Sequence, residues 1–252
     1  MNNMLVGYTG FVGSNLKDQI NFDYLVNSKN INKVAGTCVD LLVIAAGDAR
    51  KWFANQNPDI DLIHIQNLYR DVSQIEAKKV ILFSTVDVYS SKDGVYEGEF
   101  NISSEPYGKH RKLFEEMICS HFADVTIIRL PGLFGSGLKK NIIFDILNKR
   151  DISGFNPNSH FQWFFLKDLK RVIDFCSKHS LTELNVTAAP ISVADLCIAL
   201  HLDTESVCED ANLVYYNVCS KYASEFGGVK DYLYSKEETL ELIVNYATGD
   251  YL

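Results

Sequence analysis

Long apolar runs, paired cysteines and clustered cations are all missing from this chain of 252 residues. No stretch of about eighteen consecutive apolar residues occurs, which argues against a membrane-spanning helix. The opening residues Met1-Asn2-Asn3 carry neither the basic region nor the apolar core of a signal peptide. We therefore expect a cytoplasmic protein with no membrane partner.

Cationic side chains are too few and too scattered for a nucleic-acid-binding surface. The chain has 24 Lys and Arg against 32 Asp and Glu, a formal net charge of −8, and no long block of one sign. Binding to nucleic-acid phosphates requires clustered cations, so nucleic acid is not the expected partner.

The six cysteines form no C-x-x-C pair and no Cys/His cluster with zinc spacing. We therefore expect no metal site, and we expect reduced thiols that mostly fill small spaces in the core. They are Cys38, Cys119, Cys176, Cys197, Cys208 and Cys219.

A glycine triplet, Gly7-Tyr8-Thr9-Gly10-Phe11-Val12-Gly13, follows the apolar stretch Met4-Leu5-Val6. A G-x-x-G-x-x-G turn between a strand and a helix lets a dinucleotide pyrophosphate approach the backbone and rest on the helix N-terminus. We therefore predict that Gly7, Thr9, Gly10, Phe11, Val12 and Gly13 contact such a cofactor. The alternative is a glycine-rich turn without a ligand.

Apolar strands alternate with helical patterns through the first 150 residues. Uniformly apolar strands at about 4–6, 24–26, 41–45, 80–83 and 125–128 predict a sheet covered on both faces. Helical patterns occupy about 11–20, 59–74 and 105–120. This alternation predicts an α/β fold with a doubly wound parallel sheet. After about residue 132 apolar strands and helical patterns no longer alternate regularly, and helix caps at Ser192 and Ser235 indicate a small mixed lobe.

Two segments carry side chains suited to chemistry. Thr85 follows a buried strand, at the sheet edge where open α/β proteins bind ligands, and it could donate to a carbonyl oxygen or cap the next turn. On the helix that begins near Pro106, Tyr107, His110 and Arg111 share one face. A guanidinium beside a phenol stabilises the phenolate, so we expect Tyr107 to exchange a proton near neutral pH. The alternatives are a surface Tyr–Arg pair and, for His110, either a relay or an ordinary surface histidine.

Together with the glycine triplet, several further motifs make the chain resemble a known family over nearly its whole length. These motifs are Ala45-Ala46-Gly47, Ser84-Thr85-x-x-Val88-Tyr89, Pro106-Tyr107-Gly108, Arg129-Leu130-Pro131-Gly132-Leu133-Phe134-Gly135 and Phe164-Phe165-Leu166-Lys167-Asp168. The chain resembles the extended short-chain dehydrogenase/reductases, the NAD(P)-dependent epimerase/dehydratase family that acts largely on nucleotide sugars. The resemblance implies a Rossmann-type fold in one unit over 1–252, mainly dinucleotide-binding over about 1–135 and mainly substrate-binding, partly interleaved, over about 136–252.

The resemblance also implies catalytic roles. Tyr107 takes the place of the catalytic acid/base, Thr85 that of the residue orienting the substrate oxygen, and Arg111 that of a lysine holding the cofactor ribose. Arginine cannot lose a proton, so a lysine-linked relay is not expected. The family's helix-borne asparagine has no clear match, since Asn67 and Asp61 are the nearest candidates and neither is assigned.

For the ligands, the resemblance places Ala45-Ala46-Gly47 beside the adenosine and phosphates, and Pro131-Gly132 near the nicotinamide. Asn27-Ser28-Lys29 follows the second strand without the carboxylate typical of NAD users, which favours NADP over NAD. Asn141 is expected near the diphosphate of a sugar nucleotide.

The sequence thus predicts an NAD(P)-dependent oxidoreductase or epimerase acting on a small-molecule sugar nucleotide, by keto reduction or epimerisation, and the family implies a homodimer. One alternative is a nucleotide-sugar 4,6-dehydratase in which Asp87 is the base and also contacts substrate. Another is a non-catalytic NAD(P)-binding sensor protein.

Overall fold

A parallel six-stranded sheet organises the first part of the chain in this computed structural model, which describes residues 2–99, 101–202 and 206–250. The sheet order is β10-β6-β4-β3-β1-β2, and every neighbouring pair is parallel. Its strands are β1 Asn3–Val6, β2 Tyr24–Val26, β3 Cys38–Ile44, β4 Glu76–Thr85, β6 Val125–Leu130 and β10 Glu183–Asn185. The predicted doubly wound α/β fold is confirmed.

Six short strands, nine α-helices and short 3-10 turns make up the remaining regular structure of the described residues. The short strands are β5 Asp93–Val95, β7 Gly132–Phe134, β8 His160–Phe161, β9 Trp163–Phe165, β11 Ile191–Ser192 and β12 Asn217–Val218. The helices are α1 Phe11–Lys17, α2 Lys51–Gln56, α3 Pro58–Val72, α4 Pro106–His121, α5 Ile142–Leu147, α6 Leu169–Lys178, α7 Val193–Ala199, α8 Ala223–Phe226 and α9 Lys236–Thr248. None of the described helices is both long and apolar enough to cross a bilayer.

The chain divides into two compact units. The first comprises Met1–Ser91, Gly98–Leu130 and Lys167–Asn185, and the second comprises Lys92–Glu97, Pro131–Leu166 and Val186–Leu252. Residues 167–185, within the part of the chain expected to be partly interleaved with the dinucleotide-binding part, belong to the first unit because β10 pairs with β6 and extends the large sheet.

The core of the first unit explains its apolar strands. Leu42, Val43 and Ile44 on β3 are fully buried, as expected for a strand covered on both faces. Helices α3 and α4 contribute Ile65 and Ile118 to the apolar cluster formed with these strands. Burial of such side chains is the main favourable contribution to folding of this unit.

The second unit has its own apolar cluster, in which Phe134 stacks on Phe165 with ring centroids 5.0 Å apart. Helix α7 begins with the predicted cap, since Ser192 and Asp195 form a reciprocal capping box. Ser235 likewise accepts a hydrogen bond from the Glu238 N–H at the start of α9.

Two sequence expectations need correction. The sequence patterns assign no helix before residue 59 in this part of the chain, but Lys51–Gln56 form helix α2, which lacks a side-chain cap and is too short for helical periodicity to reveal it. None of the six cysteines forms a disulfide, and Cys38 and Cys119 are exposed and fill no core space.

Candidate functional site

The glycine turn packs between the ends of β2 and β3. Gly7 has φ +94°, its N–H donates to the Val26 carbonyl at 2.8 Å, and a Cβ here would lie 2.3 Å from the Ala45 carbonyl oxygen. A Cβ on Gly13 would lie 2.2 Å from the Gly7 carbonyl oxygen. Glycine is therefore required at both positions by the close approach of backbone to backbone.

The start of α1 fits an anionic group of a dinucleotide. The first bond of this helix runs from the Ser14 N–H to the Gly10 carbonyl at 2.8 Å, and no side chain caps the preceding N–H groups. The first amides of a helix have no partner within it, so Phe11 and Val12 present donors suited to a pyrophosphate. Thr9 is exposed beside them.

Asn27 and Ser28 lie in the turn after β2. The Asn27 Oδ1 accepts from the Lys29 N–H at 2.9 Å, and the Asn27 N–H donates to Asn30 Oδ1 at 2.7 Å. Ser28 and Lys29 are exposed, so their side chains are accessible to a ligand phosphate.

Thr85 ends β4 and caps the 3-10 turn formed by Val86–Val88. Its Oγ1 accepts from the Asp87 N–H at 3.1 Å, so the capping interpretation is confirmed. Capping uses only an acceptor site of the hydroxyl, and its proton donates to no group in the described part of the chain. Asp87 in turn forms an ion pair with Lys51 of α2, Nζ to Oδ1 at 2.7 Å.

Helix α4 is pressed against this turn at Gly108. A Cβ on Gly108 would lie 2.0 Å from the Asp87 carbonyl oxygen and 2.7 Å from the Ser103 Cβ. The Tyr107 N–H donates to Asn55 Oδ1 of α2 at 2.9 Å. These contacts place Tyr107 beside the turn that carries Thr85 and Asp87.

Arg111 is buried and committed to partners on the protein. Its Nη2 donates to Asp61 Oδ1 and to the Asp48 carbonyl, both at 2.8 Å, and its Nη1 donates to Asp61 Oδ2 at 3.3 Å. The guanidinium carbon lies 4.7 Å from the centroid of the Tyr107 ring. The predicted proximity of Tyr107 and Arg111 is thus confirmed.

His110 completes this cluster. Its Nδ1 lies 2.8 Å from Asp61 Oδ2, and its ring is buried, so the interpretation as a surface histidine is wrong. Sequence analysis left Asp61 unassigned, although the helical periodicity of α3 could have indicated that this residue is buried. Positions 61, 65 and 72 share the buried face of α3, so the carboxylate lies in line with Ile65 and Val72.

The pKa of Tyr107 is raised, contrary to the expectation that it titrates near neutral pH. Burial is the largest cause, since the ring is only 8% exposed and a phenolate there loses its hydration. Arg111 lowers the pKa as predicted, Asp87 raises it, and Lys51 lowers it. The phenol is therefore protonated at neutral pH.

A second buried network anchors α4 to the sheet. Arg129 of β6 donates to both carboxylate oxygens of Glu115 on α4, at 3.0 and 2.8 Å, and the Ser84 hydroxyl donates to Glu115 Oε1 at 2.6 Å. Arg129 also donates to the Tyr89 hydroxyl at 2.7 Å and to Glu183 Oε2 at 2.9 Å. Three residues of the sequence motifs, Ser84, Tyr89 and Arg129, thus share a structural role that their spacing did not reveal.

Three predicted ligand-contacting residues belong to the second unit. Pro131 directly follows β6, and Gly132 approaches the Trp163 ring so closely that a Cβ would lie 2.7 Å from it. Asn141 caps α5: its Oδ1 accepts from the Phe144 N–H at 3.0 Å and its Nδ2 donates to the Leu133 carbonyl at 2.9 Å. Their contacts with cofactor or substrate stay predictions.

Comparison with known proteins supports the fold. No family model and no curated protein matches the chain. A solved structure of UDP-glucose 4-epimerase from Thermotoga maritima with UDP-glucose is 16% identical over the whole of both chains, with a TM-score of 0.76. A dTDP-4-dehydrorhamnose reductase from Bacillus anthracis in complex with NADP is 16% identical over 96% of this chain and 98% of that one, with a TM-score of 0.74. MoeE5 in complex with UDP-glucose and NAD is 14% identical over the whole of both chains, with a TM-score of 0.75. The chain therefore has the Rossmann-type fold of these nucleotide-sugar epimerases and reductases.

Proposed function

We propose that the chain is an NAD(P)-dependent oxidoreductase or epimerase that acts on a nucleotide-linked sugar. One observation carries the proposal: a buried phenol, Tyr107, lies near Asp87 of the turn after β4, and the Arg111 guanidinium lies over its ring. The solved structures of the same fold contain NADP, or UDP-glucose with NAD, which supports this choice of cofactor and substrate class.

The cofactor is a nicotinamide dinucleotide, which supplies a hydride donor or acceptor when bound. Gly10, Phe11 and Val12 would receive its pyrophosphate, because α1 starts there without a side-chain cap. Ser28 and Lys29 favour NADP, since a hydroxyl and an ammonium suit a 2′-phosphate and no carboxylate lies between residues 27 and 29.

Tyr107 acts as a general acid at neutral pH, because its raised pKa keeps the proton on the phenol. The Thr85 hydroxyl donates a hydrogen bond to the same substrate oxygen while its acceptor site remains on the Asp87 N–H. A protonated Tyr107 is prepared to give its proton to a carbonyl oxygen as the carbon gains a hydride.

The proposal is tested with the Tyr107→Phe variant. We expect it to bind NADPH as the wild type does, by fluorescence titration, while conversion of a panel of 4-keto and 4-hydroxy sugar nucleotides is lost. Tyr69→Phe on α3 serves as the control and retains activity. If Tyr107→Phe leaves every detectable reaction unchanged, Tyr107 is not the catalytic acid and the proposed mechanism fails. Wild-type protein that binds NADPH but converts no member of the panel is instead a non-catalytic sensor.

A nucleotide-sugar 4,6-dehydratase is the second candidate. The observation that favours it is the carboxylate of Asp87, which lies close enough to Tyr107 to raise its pKa and is paired with Lys51. In this case the product has lost one water relative to the substrate, which mass spectrometry detects, and Asp87→Asn abolishes that loss. A product differing from the substrate only by two hydrogens, or by configuration, excludes the dehydratase.

A further inference from the structure

Asp61 is a carboxylate buried in the first unit, in the first turn of α3. It is 1% exposed, and both of its oxygens are engaged, by Arg111 at 2.8 and 3.3 Å and by His110 at 2.8 Å. An ionised carboxylate at this depth is tolerated only when it is paired and hydrogen-bonded. Its partners lie about fifty residues away on α4, so the cluster ties α3 to the helix that carries Tyr107.

Arginine is the side chain that suits this position. The guanidinium donates to both oxygens of Asp61 and to the carbonyl of Asp48. A lysine ammonium is a single point charge and does not match two oxygens of a carboxylate in this way. These hydrogen bonds fix the orientation of the Arg111 guanidinium. In that orientation its carbon lies 4.7 Å from the Tyr107 ring centroid.

We propose that Asp61 is the positioning residue of this site: it holds Arg111 across the Tyr107 ring and compensates the charge that Arg111 presents there. The proposal depends on the proposed function only for the catalytic role of Tyr107. The geometry also explains why an arginine is compatible with the fourth position after this tyrosine, since Asp61 and the Asp48 carbonyl are there to receive it.

Charged groups from three elements face the Tyr107 phenol. Arg111 faces Tyr107 from its own helix, Asp87 from the turn after β4, and Lys51 from α2. Asp61 acts from α3 through Arg111, and His110 contacts Asp61 Oδ2, the oxygen that Arg111 Nη1 also approaches. Neutralising Asp61 leaves the Arg111 charge uncompensated, and an uncompensated cation favours the phenolate.

The experiment compares Asp61→Asn with Asp59→Asn in the ligand-free protein. Asp59 is exposed in the same first turn of α3, so both variants change charge and size equally. The titration of Tyr107 is read from ultraviolet absorbance as a function of pH. For each protein, the absorbance of the matching protein that also carries Tyr107→Phe is subtracted, so that the difference reports Tyr107. We expect Asp61→Asn to move the titration to lower pH, or to make it measurable before alkaline unfolding, and Asp59→Asn to match the wild type. A folded Asp61→Asn protein with an unchanged or higher titration overturns the proposal.

A second comparison decides the matter if Asp61→Asn does not fold. Arg111→Gln leaves Asp61 buried without its main partner, whereas the double variant Asp61→Asn/Arg111→Gln removes both charges. Removing both partners of a buried ion pair is tolerated better than removing one, so the double variant must unfold at the higher temperature. The opposite order overturns the proposal. Neither measurement requires turnover, so a failure of the proposed enzymatic function leaves this test intact.

Discussion

Replacing Gly108 by alanine tests the packing that places Tyr107. Gly108 lies in the first turn of α4, where helix propensity alone predicts that alanine stabilises the protein by about 1 kcal/mol. The structure predicts the opposite sign. The added Cβ would lie 2.0 Å from the Asp87 carbonyl oxygen, whereas real Cβ contacts essentially never fall below 3.0 Å.

The size of the effect follows from that distance. The start of α4 and the turn after β4 must separate by about 1 Å, the difference between the two distances. Overpacking of this kind costs about 1–3 kcal/mol, which cancels or exceeds the propensity gain. A shift of about 1 Å in a group that transfers a proton reduces the rate by about 100-fold. We therefore expect Gly108→Ala to lower kcat by about two orders of magnitude while its stability falls by about 0–2 kcal/mol.

The assay measures kcat, NADPH affinity and thermal unfolding on the same samples. NADPH affinity should stay near that of the wild type, because the glycine turn at Gly7 is unaffected. Gly154→Ala is the control: Gly154 also lacks a positive φ, and its added Cβ would meet no atom within 4 Å. A Gly108→Ala protein that unfolds at a higher temperature than the wild type and keeps its kcat refutes the reasoning.

Three further measurements test other parts of the structure. Glu115→Gln removes one of the two carboxylates paired with buried Arg129 and leaves Glu183 in place, so we expect urea titration to show a loss of about 1.5–3 kcal/mol in the free energy of unfolding; a loss below about 1 kcal/mol would equate this pair with an exposed one. Lys29→Ala should weaken NADPH binding and leave NADH binding unchanged in parallel fluorescence titrations, and equal losses would contradict the preference for NADP. Burial raises the pKa of Asp195, but Lys236 and the capping serine outweigh it and hold the pKa below its ordinary 3.8. The carboxylate thus stabilises the fold above about pH 3.8 and loses that contribution as pH falls through its lower folded value, so Asp195→Asn should flatten the acid side of a stability–pH curve.

The parallel sheet could be predicted because its signal is local. Five of the six strands contain a run of consecutive apolar residues, and such runs indicate strands covered on both faces. Strand β10, with the sequence Glu183-Leu184-Asn185, has no such run. The signal is also local for the caps at Ser192 and Ser235, each of which accepts from the N–H three positions later. Within the glycine turn, the Gly10 N–H likewise donates to the Gly7 carbonyl. Helix α2 was missed because its six residues carry no cap and no complete period.

The amino-acid sequence by itself thus determined the α/β fold and the face of α4 that carries Tyr107, His110 and Arg111. Only the tertiary structure decided how those side chains behave. Asp61 meets Arg111 across a separation of fifty residues, and burial outweighs that cation in setting the pKa of Tyr107. Periodicity depends on neighbours along the chain, whereas desolvation and ion pairing depend on which distant elements close around a group, and that is settled only when they pack.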